Sequence, residues 1–191
     1  MSRFGAYEYD PFLAEVYDHI PHHQARADVE FYVSLARAAG GRTLELGCGT
    51  GRILIPTAQA TCDIVGLELS PHMLTKCREK LGRQPPNVQA RARLVQGNMT
   101  DFELGETFAL ATTPFRSFQQ LLTVEEQFSS LGCVRRHLQP GGRLVLDVFQ
   151  VDFRYMKPSD AEVEDFADAP LPDGRRLSRH FRVAAVHRAE Q

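Results

Sequence analysis

Short apolar runs alternate along this chain with segments whose apolar residues return every three or four positions. The runs fall at about Arg42–Leu46, Asp63–Glu68, Arg93–Gln96, Phe108–Ala111 and Arg143–Phe149. Each has strand length and each is bounded by turn formers. Between them lie helical patterns. Phe12, Leu13, Val16 and Ile20 follow Pro11, which suits a first turn. From Arg26 to Ala38, Val29, Tyr32, Val33 and Ala36 fall at helical spacing, and Gly40-Gly41 ends that helix. A helix is expected over Ile53–Ala60. Ser70-Pro71 gives the next helix, running to about Leu81, an N-cap and a first-turn proline. Thr123-Val124-Glu125-Glu126 reads as a capping box opening a helix to about Leu138. Gly82–Ala90 and Pro140-Gly141-Gly142 read as loop and turn. Five strands separated by helices predict an open α/β sheet of parallel strands, with right-handed crossovers placing helices on both faces. The last strand is nearly all apolar, so a central place in the sheet is expected for it.

Three regions follow, within one structural domain: an N-terminal helical cap over 1–41, a core over 42–150 and a C-terminal extension over 151–191. The extension is acidic at Glu162, Glu164 and Asp165 and basic at Arg176, Arg179 and Arg182. Leu177, Arg179, Phe181 and Val183 alternate with polar residues, which fits an edge strand or hairpin with charges that block unwanted pairing.

The first strand runs into Glu45-Leu46-Gly47-Cys48-Gly49-Thr50-Gly51. Glycine at every second position lets backbone approach a ligand closely, because no Cβ intervenes. The dinucleotide fingerprint needs a glycine where Arg52 stands, and no Gly-Lys-Ser/Thr of a P-loop is present. Cys48 reads as a small buried filler.

Composition narrows the class. The chain has 191 residues, 43% hydrophobic and 24% charged, as expected of one globular domain with a sizeable core. A net charge of −2 gives no general reason to bind nucleic acid or an anionic membrane. The first residues lack a signal-peptide core, and no apolar run reaches spanning length. Cys48, Cys62, Cys77 and Cys133 form no Cys-x-x-Cys pair. They read as reduced thiols of a cytoplasmic protein, with no metal site. His22-His23 lacks further ligands at metal spacing, and His19, His22 and His23 read as surface or helix-end polarity.

Glu45 to Gly51 resembles motif I of the class I S-adenosylmethionine-dependent methyltransferases. Four features repeat that resemblance in order: this motif, Glu68 at the end of the second strand, Asn98-Met99 after the third, and Leu138-Gln139-Pro140-Gly141-Gly142 before the fifth. The resemblance covers about Tyr17 to Phe149. It implies a Rossmann-like, mostly parallel sheet and S-adenosylmethionine as cofactor. It implies a cofactor site of Glu45, Gly47, Cys48, Gly49, Gly51, Glu68, Leu69, Met73, Asn98, Met99 and Thr112. Glu68 would hold the ribose hydroxyls, as an acid does in dinucleotide sites. The acceptor would meet Tyr9 and Tyr17, the loop Pro114, Phe115 and Arg116 onward to Gln120, and Tyr155. Tyr17-Asp18-His19 is the local source of a general base if one is used.

Two departures qualify the resemblance. Asn98 replaces a frequent carboxylate, though an amide still hydrogen-bonds adenine. The family also adds two strands after the fifth, whereas the forty or so residues here supply one convincing strand region. Those strands are expected to be reduced or missing, leaving an open edge that favours a homodimer. The expected activity is methyl transfer to a small-molecule acceptor. The alternatives are a non-catalytic binding or interaction protein of the same fold, a protein or nucleic-acid methyltransferase, and a nicotinamide oxidoreductase, which Arg52 disfavours.

Overall fold

The computed structural model describes residues 10–24, 26–150 and 163–181. The cap begins with α1 (Pro11–Val16), whose N-terminus is capped by Asp10: its Oδ1 accepts the Phe12 N–H at 2.9 Å. A 3-10 turn, Tyr17–His19, leads into α2 (Pro21–Gln24), a single turn. α3 (Val29–Ala39) starts later than its apolar spacing predicts. Arg26 and Asp28 lie outside it because their side chains are engaged elsewhere; Asp28 stands at the N-cap position without capping. Gly40, at φ +65°, closes α3.

β1 (Thr43–Leu46), β2 (Ile64–Glu68), β3 (Ala92–Gln96), β4 (Phe108–Thr113) and β5 (Leu138–Leu146) form one parallel sheet in the order β3-β2-β1-β4-β5. α4 (Leu54–Gln59), α5 (Pro71–Gly82), α6 (Pro86–Gln89) and α7 (Val124–His137) connect them. The loop expected over Gly82–Ala90 thus contains the single turn α6, opened by Pro85-Pro86. Both expected N-caps form: Ser70 Oγ accepts the Met73 N–H at 3.2 Å, and Thr123 and Glu126 close a capping box.

Alternation along β1 and β2 divides the core between two faces. Leu44, Leu46, Val65 and Leu67 pack with Phe102, Cys133 and Val134 on the α7 side. Ile64 packs with Leu54, Ala58, Leu74, Cys77 and Leu81 of α4 and α5 on the other. Among the described residues the strand order reverses between β1 and β4, so the chain leaves β1 for opposite sides of the sheet. A crevice opens at such a point, beyond the carboxyl ends of the strands, and that is where ligands of open α/β sheets bind.

Two expectations are corrected at β5. Its apolar composition suggests a central strand, yet β4 is its only partner among the described residues and it lies at the sheet edge. Its apolar side chains serve α7 instead: Leu138 and Leu144 pack against the cluster holding Cys133 and Val134. Pro140-Gly141-Gly142 is a bulge within the strand, where pairing jumps from Phe108–Leu138 to Leu110–Arg143. Of the edge strand or hairpin expected in the tail, a hairpin forms, with one strand more than the single region that alternation picks out. β6 (Val163–Pro170) and β7 (Arg176–Phe181) form an antiparallel hairpin that is a separate sheet. Its acidic strand carries too little apolar alternation to be legible. The hairpin meets the cap, where Arg175 pairs with Glu15 and His22 with Asp165.

Candidate functional site

The glycine turn leaves β1 by folding back on β2. The N–H groups of Gly47 and Cys48 both reach the Leu67 carbonyl, at 2.8 and 3.1 Å. Gly47, Gly49 and Gly51 all have positive φ. Two of them are also sterically obligatory. A Cβ on Gly47 would lie 2.7 Å from the Ser117 side chain, and one on Gly51 2.6 Å from Cys77 Sγ. Gly49 instead faces open space.

Glu68 ends β2 beside this turn. Its two carboxylate oxygens accept the N–H of Gly49 and the N–H of Ser70, each at 2.9 Å. Burial pushes its pKa above the ordinary glutamate value despite hydrogen bonds from the Ser70, Gly49 and Leu69 backbone. The carboxylate keeps lone-pair capacity for a further donor.

A cavity of about 500 Å³ opens over these strand ends. Gly47, Gly49, Glu68, Leu69, Met73, Asn98 and Met99 line it, joined by Tyr17, Phe115 and Arg116 from the expected acceptor set. The sheet therefore brings together residues more than fifty positions apart. Glu45, Cys48, Gly51, Thr112 and Pro114 do not line the cavity. Glu45, Cys48 and Thr112 are buried beneath it, at 2%, 3% and 2% exposure. Tyr9 and Tyr155 lie outside the described residues. The cavity also takes in His22, His23, Arg26, Ser117, Gln120, Asp165 and Arg179. Ser117 and Gln120 belong to the expected acceptor loop, whereas the other five come from the cap and the hairpin, where each is polar in a polar stretch and gave no signal.

The cap is tied to the glycine turn through Thr50 and Arg52, which flank Gly51. Thr50 Oγ1 donates to Asp18 at 2.6 Å, and Lys80 of α5 reaches the other Asp18 oxygen at 2.7 Å. Arg52 grips Asp28 with two nitrogens, and Arg26 adds a third bond at 2.9 Å. Burial opposes ionisation of Asp28, but these arginines outweigh it and hold its carboxyl below the ordinary value. Arg26 also reaches Asp147 beyond β5 at 2.8 Å, and Asp147 accepts the Arg116 N–H. That bond helps to hold the turn after β4, where Phe115 and Arg116 both adopt positive φ, at 57° and 64°. Such geometry is strained for residues bearing a Cβ. It places the Phe115 ring under the Arg26 guanidinium, 4.7 Å away, and against His23 with ring centroids 4.8 Å apart.

His23 Nδ1 lies 2.9 Å from the Tyr17 carbonyl and donates to it. Burial, helped by Arg179 and Arg52, lowers its pKa against the opposing effect of the hydrogen bond to Tyr17. The neighbouring His22 pairs through Nε2 with Asp165 of β6 at 3.0 Å. Among the described residues no cluster of His, Cys, Asp and Glu could hold a metal ion. No helix among them is long and apolar enough to cross a membrane.

A strand-end acid beside a triple-glycine turn, at the switch point of a parallel sheet, defines a nucleoside-binding α/β protein. Residues 43–142 match the family model described as a methyltransferase domain, and the chain belongs to that family. It is 35% identical over 136 residues to the dTDP-3-amino-3,4,6-trideoxy-alpha-D-glucopyranose N,N-dimethyltransferase of Streptomyces venezuelae, covering 71% of this chain and 52% of that protein. The chain thus spans about half the length of the curated relatives it matches. Among solved structures, the CcbJ methyltransferase from Streptomyces caelestis superposes with a TM-score of 0.74 at 25% identity, covering 98% of this chain and 84% of that one. SAM-bound CalS10, an amino pentose methyltransferase from Micromonospora echinaspora, gives 0.67 at 28% identity, covering 91% and 70%.

Proposed function

We propose that the chain forms an S-adenosylmethionine-dependent methyltransferase that acts on an amine of a small molecule, with an amino sugar as the favoured acceptor. The observation that carries this reading is the meeting of Glu68, the glycine turn and Asn98-Met99 in one cavity. Glu68 accepts from the ribose hydroxyls with its remaining lone pairs. Asn98 and Met99 meet the adenine, with Leu69 and Met73 beside it. Gly47 and Gly49 leave room for the methionine portion. Glu45, buried below the turn, braces it from beneath. The activities of the relatives, N,N-dimethylation of dTDP-amino sugars and methylation of an amino pentose, support nitrogen as the acceptor atom.

Methyl transfer from a sulfonium needs alignment and dryness more than a dedicated nucleophile, because the leaving group is already activated by its charge. The cap, the turn at Phe115 and the hairpin supply that enclosure. We assign cap, core and extension to one structural domain on that ground. Self-association through the open edge of β5 belongs to the same reading.

Calorimetric titration tests it. S-adenosylhomocysteine should bind and NAD should not. Glu68→Ala should lose affinity for S-adenosylhomocysteine by about 1.5–3 kcal/mol, the loss of charge-assisted hydrogen bonds. Unchanged affinity in that variant removes Glu68 from the site, and binding of NAD alone overturns the reading.

A further inference from the structure

The wall of the cavity away from the strand ends holds a histidine and a carboxylate drawn from opposite ends of the chain. His22 belongs to α2 and Asp165 to β6, and 143 positions separate them. Both line the cavity, and their Nε2–Oδ1 distance is 3.0 Å. An ionised carboxylate is acceptor-only, so Nε2 carries the proton in this pair. Nδ1 is then the lone-pair nitrogen, and it has no hydrogen-bond partner among the described residues. The Phe166 ring of the hairpin packs with the imidazole in a T-shaped pair, the ring centroids 6.1 Å apart. Arg179 lies 3.5 Å from the second Asp165 oxygen.

We propose that His22, oriented by Asp165, is the proton acceptor for methyl transfer in this cavity. The proposal rests on the methyl-donor reading above. That reading commits Glu68, Leu69, Asn98 and Met99 to the adenosine, so the transferred methyl and its acceptor are left with the wall built by cap, post-β4 turn and hairpin. An amine attacks the methyl carbon with its lone pair. The carbon–sulfur bond breaks, its electrons pass to sulfur, and a neutral thioether leaves. The nitrogen now carries a surplus proton, which moves to Nδ1 of His22. The resulting imidazolium faces the Asp165 carboxylate and releases its proton to water after product leaves. Geometry favours His22 over its neighbour. His23 already spends Nδ1–H on the Tyr17 carbonyl and is packed between the Tyr17 and Phe115 rings. No carboxylate among the described residues pairs with it, whereas arginines stand nearby.

Sinefungin tests the pair without a known acceptor, because it carries a primary ammonium where the donor carries its methyl group. A base facing that position binds sinefungin better than it binds S-adenosylhomocysteine, which has nothing there. Both dissociation constants are measured calorimetrically for the wild type, His22→Ala and Asp165→Asn. The expected result is a wild-type preference for sinefungin that falls about tenfold in each variant, with S-adenosylhomocysteine affinity unchanged within about twofold. An unchanged ratio in both variants overturns the proposal, as does a parallel loss of both ligands. A wild type that binds neither ligand overturns the methyl-donor reading itself, and the proposal with it. Asp165→Asn keeps the test open should the His22 variant fold poorly.

Discussion

Glu45 stands one residue before the end of β1 and Glu68 ends the adjacent β2, and burial acts on both, but with different compensation. Glu68 receives backbone N–H groups on both oxygens. Glu45 is fully buried, and its Oε2 has no hydrogen-bond partner among the described residues. Desolvation, with electrostatic help from Cys77, pushes the Glu45 pKa well above the ordinary value of 4.5, while Arg52 pulls the other way. An acid whose folded pKa is raised stabilises the fold only while protonated. Its contribution is present below the unfolded value and is lost as pH rises through the folded one. Glu45→Gln should therefore raise the melting temperature, with a gain over wild type that grows from pH 5 to pH 8. A gain independent of pH would contradict the assignment. His137 is the opposite case, a buried polar group with its bonds made. Nδ1 donates to the Cys133 carbonyl at 2.7 Å, Nε2 accepts the Leu104 N–H at 3.0 Å, and the ring packs on Phe102. His137→Leu strands the Leu104 N–H and should cost about 1–3 kcal/mol in urea unfolding. At this scale the sequence reveals residue types but not partners. Glu68 is legible because a motif precedes it. His22 is not, because its partner lies 143 positions away in the hairpin.

At the scale of elements, the cap and the glycine turn act as one unit through Asp18–Thr50–Lys80 and Asp28–Arg52–Arg26. Arg52 is the residue that argues against a dinucleotide, and its positive role is to hold the cap. Asp28→Ala leaves Arg52 half-buried without its acid and loosens the cap over the cavity. Stopped-flow measurement should show S-adenosylhomocysteine leaving about tenfold faster, with its association rate changed far less. A fall in association alone would mean that the cap does not retain the ligand. Because the folded pKa of Asp28 is depressed, the pair's contribution holds above about 3.8 and is lost as pH falls through the folded value, so it is intact at neutral pH. The strands were readable from apolar runs, and the helix starts at Ser70 and Thr123 from capping chemistry. The place of β5 was not. Composition reports that a strand is covered, and α7 covers this one on a face rather than neighbours on both edges.

For the molecule as a whole, the edge of β5 that pairs with no strand among the described residues and the exposed apolar residues of α7 lie together. Phe128 is 70% exposed, and Leu131 lines a shallow groove with Leu138, Pro140 and Leu144. Sedimentation at micromolar concentration should detect a dimer; a single monomeric species would dismiss self-association. The fold was legible because parallel α/β order is written locally, strand by helix by strand. The far wall of the cavity was not, because it is made where the two ends of the chain meet.

That meeting has a kinetic consequence. The contacts closing the roof, Glu15–Arg175 and His22–Asp165, join positions 160 and 143 residues apart. The sheet's parallel pairs join positions nearer in sequence, the widest being Thr43 with Leu110 of β1 and β4, and do not depend on them. Contacts of such separation form late, after the intervening chain has become compact. On dilution from denaturant, far-ultraviolet circular dichroism should recover first. The last phase should be the one in which the hairpin finds the cap, and capture of a fluorescent donor analogue should report that phase alone.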